Sequence, residues 1–109
     1  AGVVGILGQP SYSASKAGLI LLTNVTALET APREVTANAV SLGMIDTAAY
    51  EAEQFRPEML DHMRKRIPIG RMGQPSEVAS VVTFLASEPA RYVTGTNTII
   101  DGAFSKNLL

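Results

Sequence analysis

The stretch Pro10-Ser11-Tyr12-Ser13-Ala14-Ser15-Lys16-Ala17-Gly18 decides how the rest of the chain is read. Spaced four apart on a helix, Tyr12 and Lys16 share one face, with Cβ atoms about 5–6 Å from each other. A cation on that face favours the phenolate and makes Tyr12 a better proton donor to a substrate oxygen that is gaining negative charge. Taken alone, Tyr-x-x-x-Lys is also an ordinary surface pair; the fuller Tyr-Ser-Ala-Ser-Lys-Ala-Gly carries far more information. Pro10 stops any earlier element and Ser11 is placed to cap a helix over about 11–30. Ala14, Ala17, Leu21, Val25 and Leu28 follow one face of it, while Leu19, Ile20 and Leu22 put apolar bulk elsewhere. Such a helix needs cover on more than one side, from the rest of a sheet or from another subunit.

Outward from this helix, residues 1–10 carry Gly2, Gly5 and Gly8 and read as a strand end entering a loop. Downstream, Ala31-Pro32-Arg33-Glu34 ends the helix and residues 35–41 read as a short buried strand closed by Leu42-Gly43. The charged, Met-containing segment over about 44–68 reads as helical in pieces, broken by Pro57. Pro75-Ser76-Glu77 is a strong start for a helix over about 76–87, with Val78, Val81, Val82 and Leu85 on one face. After the Thr94-Gly95 turn, residues 97–101 form a last strand. Strand end, helix, strand, interrupted helices, helix, strand is how the second half of a parallel α/β sheet reads.

Composition narrows the function classes. With 46% hydrophobic and 17% charged residues, the 109-residue chain is one domain or part of one, not a disordered segment. A net charge of −1 gives no electrostatic case for nucleic acid or an anionic membrane. The apolar run Leu19–Leu22 is far too short to span a bilayer. The absence of Cys excludes disulfides and thiolate metal sites and agrees with a reducing, cytoplasmic setting.

The Tyr12/Lys16 stretch resembles the active-site helix of the short-chain dehydrogenases/reductases, and later segments agree in order along the chain. Residues Asn38-Ala39-Val40-Ser41-Leu42-Gly43-Met44-Ile45-Asp46-Thr47 resemble the family's segment after its sixth strand. Gly70-Arg71-Met72-Gly73-Gln74-Pro75-Ser76-Glu77-Val78-Ala79 resembles its penultimate helix and lead-in; Tyr92-Val93-Thr94-Gly95 with Ile99-Ile100-Asp101-Gly102 resembles its last strand. The resemblance is closest in flavour to the bacterial 3-oxoacyl-acyl-carrier-protein reductase-like branch. It implies the C-terminal portion of a Rossmann-like, doubly wound parallel sheet, with the N-terminal dinucleotide-binding half absent from these residues. It also implies hydride transfer between NADP or NAD and a small alcohol or carbonyl substrate. Tyr12 and Lys16 would be catalytic and would also touch the cofactor; Gly43, Ile45 and Thr47 would border the nicotinamide, and residues 44–68 would form a substrate lid. A homo-oligomer, or a complementing N-terminal segment, is the implied partner.

Departures from the family pattern are specific. No Gly-x-Gly-x-x-Gly or Thr-Gly-x-x-x-Gly-x-Gly occurs, and the position of the family's catalytic Ser falls ahead of Ala1. Leu42 stands where Pro is usual, Glu34 where Gly is frequent, and Ala103 where a second Gly is common. Leu does not fix its own φ as Pro does, and Glu34 is strained if its turn needs a positive φ.

Blander readings accompany each candidate. Gly43, Ile45 and Thr47 also read as a strand-to-helix turn with Thr47 capping the next helix. Met44, Met59, Met63 and Met72 suit a lid over an apolar substrate or plain packing in equal measure. His62 reads as an exposed helix position, and Arg64-Lys65-Arg66 as a solvated face. Ser13 and Ser15 have no His/Asp constellation, and Asp46, Asp61 and Asp101 no metal-like spacing. Two functions therefore stand: the catalytic portion of a nicotinamide-dependent oxidoreductase, or a catalytically inactive fragment serving as an oligomerisation or interaction module.

Overall fold

The computed structural model describes residues 2–48 and 56–107. Helix α1 spans Pro10–Thr30, strand β1 Ala39–Leu42, helix α2 Pro57–Lys65, helix α3 Pro75–Leu85 and strand β2 Asn97–Ile100. The strands pair directly in one sheet. The Ala39 amide donates to Thr96 O and the Gly43 amide to Ile100 O, both at 2.9 Å. Equal steps in the same direction on both strands make the pair parallel, which requires a crossover rather than a hairpin. The α/β class and the parallel sheet are therefore as read from the residues. Two compact units divide the chain, one of residues 1–41 and 81–99 and the other of 42–80 and 100–109.

In the first unit, α1 begins one residue earlier than its Ser11 suggests. Pro10 is the first helical residue and Gln9 the cap, with no side-chain cap bond. Proline has no N–H to leave unsatisfied and its φ is already helical, so it starts the helix rather than standing outside it. A 3-10 turn at Ala31–Arg33 continues α1 and ends in a Schellman closure: the Val35 amide reaches Thr30 O and the Glu34 amide reaches Ala31 O. Glu34 itself sits in the left-handed region at φ 58°. Ala27 is buried, and a Cβ at Gly95 would come within 3.5 Å of its methyl, so small residues let the chain pass beneath the helix.

The first strand starts at Ala39, not at residue 35. Before it, Gly95 turns the partner segment at φ 71° and donates its amide to Ala37 O at 2.8 Å, and side chains add the other bonds. Thr94 Oγ1 accepts the Ala37 amide, Asn38 Nδ2 donates to Val93 O, and Asn38 Oδ1 accepts the Thr96 amide. The second strand ends at Ile100, and α3 ends at Leu85 before a short 3-10 turn at Glu88–Ala90.

In the second unit, Pro57 begins α2 after an extended Arg56, for the same reason that Pro10 begins α1. Residues 49–55 of the expected lid lie outside the described residues. Ile67 and Met72 are buried, so Met72 is core rather than lid, while Met59 is half exposed. His62 and Arg64–Arg66 are exposed, with Arg64 paired to Asp61 at 3.3 Å. A tight turn comes after β2: Gly102 at φ 59°, Ala103 at φ 67°, and the Phe104 amide bonded to Asp101 O. Positive φ at both central residues is a type I′ geometry, which disfavours Ala at the second place.

The entry to α3 is closed by one carboxylate. Glu77, third in the helix, accepts Arg71 Nη1 and Nη2 at 2.8 Å each and the Gln74 amide at 2.7 Å. The reach back to the residue before Pro75 is the acidic half of a capping box. The Arg71 guanidinium, seconded by the Gln74 amide, holds the Glu77 carboxyl down to about 2 from an ordinary 4.5.

Glu34→Gly and Ala103→Gly should each stabilise the chain by about 0.5–1 kcal/mol, read as a higher urea midpoint, because glycine has no penalty in the left-handed region. Gly70→Ala, with φ 85° and open space around it, should lose about 1 kcal/mol for the same reason. No rise at 34 and 103 would refute strain there. For Glu77 the folded carboxyl titrates below the unfolded one. Its contribution is thus present above about 4.5 and lost as pH falls toward about 2. The urea midpoint should fall more steeply across that window in the parent than in Glu77→Gln; parallel curves would refute it.

Candidate active site

Tyr12 is the third residue of α1 and Lys16 lies one turn on. The spacing does what the sequence demands: Lys16 Nζ sits 5.3 Å from the centroid of the Tyr12 ring. A cation at that distance over an aromatic face is attracted by the ring quadrupole. Tyr12 remains 51% exposed, so its hydroxyl is open to a reactant. Both neighbouring serines are used locally, Ser15 Oγ donating to Tyr12 O at 2.8 Å and Ser13 Oγ accepting the Ile6 amide at 3.4 Å. Neither is a nucleophile candidate.

The start of the chain is fitted to this helix. Gly2 has φ 85°, and a Cβ there would lie 2.8 Å from the backbone carbonyl carbon of Lys16. Any side chain at position 2 would push against the turn that presents Lys16. The sequence signalled this contact only as a glycine in a loop, because its partner lies 14 residues away.

At roughly 100° per residue, Ala14, Ala17, Leu21, Val25 and Leu28 fall on the side of α1 opposite Tyr12 and Lys16. Leu21 and Leu28 are 66% and 77% exposed. The Tyr12/Lys16 pair and the apolar stripe are therefore on different faces.

In the other unit, Gly43 comes directly after β1. A Cβ there would lie 2.7 Å from both Cα and Cβ of Asp101, so no larger residue fits beside the turn after β2. Asp101 is itself a turn-maker: its carboxylate accepts the Ala103 amide at 2.9 Å and the Ser105 amide at 2.8 Å. Burial pushes its carboxyl up, but the Ser105 and Ala103 hydrogen bonds and the charge of Lys106 hold it below its ordinary value.

Ile45 makes a parallel bridge with Gly73. The Gly73 amide donates to Met44 O at 2.9 Å and the Asp46 amide to Gly73 O at 2.8 Å. In a parallel bridge of this kind, the N–H and C=O of Ile45 itself point to the opposite side. That edge offers one donor and one acceptor side by side, the pattern a carboxamide needs. Thr47 is exposed just beyond it. Leu42 lies at a ladder position whose amide points away from β2, since Ala39 and Gly43 are the donors on that side. A proline there would remove no bond between the strands.

Sequence reasoning missed Gly73, Arg71 and Glu77 as parts of this turn. The one available signal was glutamate three residues after Gln74, ahead of an apolar run. Nothing in the sequence indicated that Gly73 would pair with Ile45, 28 residues earlier. Among the described residues, no group of three or more His, Cys, Asp or Glu could hold a metal ion, and no helix is long and apolar enough to cross a membrane.

Residues 1–105 match the family model described as Enoyl-(Acyl carrier protein) reductase. The 3-oxoacyl-[acyl-carrier-protein] reductase FabG of Thermotoga maritima is 45% identical over 101 residues, covering 93% of this chain and 40% of that protein. The L-rhamnose 1-dehydrogenase (NAD(P)(+)) of Azotobacter vinelandii is 38% identical over 106 residues, with coverages of 97% and 41%. Among solved structures, a short chain dehydrogenase family protein from Francisella tularensis superposes with a TM-score of 0.83 at 26% identity, covering 94% of this chain and 46% of that one. The chain thus spans about two fifths of the length of the curated relatives it matches. With a family match along nearly its whole length and a tyrosine and lysine held together on its first helix, the chain belongs to the short-chain dehydrogenase/reductase family of oxidoreductases.

Proposed function

We propose that this chain supplies the proton-donating helix and the nicotinamide-facing turn of a cytoplasmic NAD(P)-dependent oxidoreductase acting on a small alcohol or carbonyl compound. The observation that carries the reading is the Lys16 ammonium over the face of an exposed Tyr12. The residues present suit the cofactor. Ile45 turns a backbone donor and acceptor outward, Gly43 keeps the turn close to Asp101, and Thr47 adds an exposed hydroxyl. Ile45 would hold the carboxamide and Lys16 the ribose hydroxyls.

When bound, the nicotinamide supplies or takes the hydride. The chain's own part is proton management and position. In reduction, Tyr12 donates its phenolic proton to the carbonyl oxygen as negative charge grows there; in oxidation, its phenolate takes the proton of the alcohol. Lys16, positively charged, stabilises the phenolate in both directions. The segment around 44–68 would cover the substrate and set its identity. The site would be completed by an N-terminal segment carrying the glycine-rich loop, within a homo-oligomer.

The exposed Leu21, Val25 and Leu28 favour a second reading, in which the chain is an inactive assembly module. The two readings part on one substitution. In the full-length protein, Tyr12→Phe should lower carbonyl reduction by about 10²–10⁴-fold while cofactor binding persists. Activity retained in that variant would refute the proton-donor role. Absence of both activity and cofactor binding in the parent protein would favour the assembly module.

A further inference from the structure

We infer that Glu77 is a positioning residue for the turn at 43–47, holding in place the segment on which Gly73 clips Ile45. The inference rests on the reading above that this turn faces the nicotinamide. Among the described residues, two backbone hydrogen bonds, Gly73 to Met44 O and Asp46 to Gly73 O, tie the turn to the 71–74 segment. Gly73 belongs to no strand, so something else must hold it still. Its flanking residues do so. Arg71 and Gln74 direct three donors onto the one Glu77 carboxylate at 2.7–2.8 Å. Arg71 Nη1 also donates to Met72 O at 3.1 Å, and Met72 is buried. Glu77 is anchored in the first turn of α3.

The fit at the bridge is tight. A Cβ at Gly73 would lie 2.9 Å from Ile45 Cδ1, so the isoleucine side chain rests directly on the glycine. Gln74 Nε2 adds a long contact of 3.4 Å to Asp46. A shift of residues 71–74 therefore displaces the Asp46 amide, and with it the outward N–H and C=O of Ile45. Small misplacements of a group that orients a reactant are costly to binding and rate.

The test uses the full-length protein, with amide hydrogen exchange and NADH and NADPH titration read on the same samples. Glu77→Ala should speed exchange at Gly73 and Asp46 by about tenfold while leaving Ala39 and Gly43, bonded to the other strand, protected. Cofactor affinity should fall by about tenfold, with a smaller fall in kcat at saturating cofactor. Glu77→Gln keeps an oxygen for the Gln74 amide and should lie between the two; it also serves if the alanine variant fails to fold. Unchanged exchange at Gly73 and Asp46 would overturn the inference, as would equal loosening at Ala39 and Gly43. So would a loosened clip with unchanged cofactor affinity. A parent protein that binds neither cofactor would instead overturn the underlying functional reading, and this inference with it.

Discussion

Parallel pairing of β1 with β2 is the constraint on which the rest of this chain depends. Each strand has only four residues, so the ladder itself contributes little. What matters is direction. Two strands pointing the same way bring the chain that leaves one beside the chain that leaves the other, and both exits are turns. Gly43 leaves β1 and Asp101 leaves β2, close enough that a methyl group at 43 would meet the Asp101 backbone. In open α/β sheets, ligands bind beyond the carboxyl ends of the strands because that is where such turns gather. The close fit of Gly43 against the Asp101 turn is a consequence of the same pairing.

Among the described residues, Ala27, Ile67, Met72 and Ala90 are the buried hydrophobics, and two of them are alanines. Local closure takes up much of the work: a Schellman end on α1, an Asp101 carboxylate gripping two amides, and a Glu77 carboxylate gripping three donors. Such devices specify geometry more than they add free energy, since exposed ion pairs are screened and weak. Leu21, Val25 and Leu28 are exposed on α1, in a chain that spans about two fifths of its relatives' length. A stripe of that size on a helix otherwise rich in small residues is a surface that needs a partner.

The two charged arrangements serve different ends. Lys16 lies over the tyrosine ring in an open setting, where the contact orients both side chains and keeps the hydroxyl accessible. Arg71 and Glu77 instead form a bidentate pair whose value is its fixed geometry, with the planar guanidinium matching the carboxylate edge to edge.

The sequence by itself determined the features that depend on near neighbours. The helix through Tyr12 and Lys16 comes from a four-residue spacing, and the shared face was legible because helical geometry is local. Glu34 and Ala103 stood out only against the family pattern, which has glycine at both places, and each has a positive φ. The start of α1 lies one residue before the expected one because proline can end one element or begin the next, and only the backbone after it decides. Tertiary structure alone decided the features that depend on distant pairs. The late start of β1 was set by the Gly95 turn in its partner, and the clip between Ile45 and Gly73 by two segments with no local mark of their pairing. Side chains one helical turn apart meet by construction, whereas segments tens of residues apart meet only when the whole chain has chosen its path.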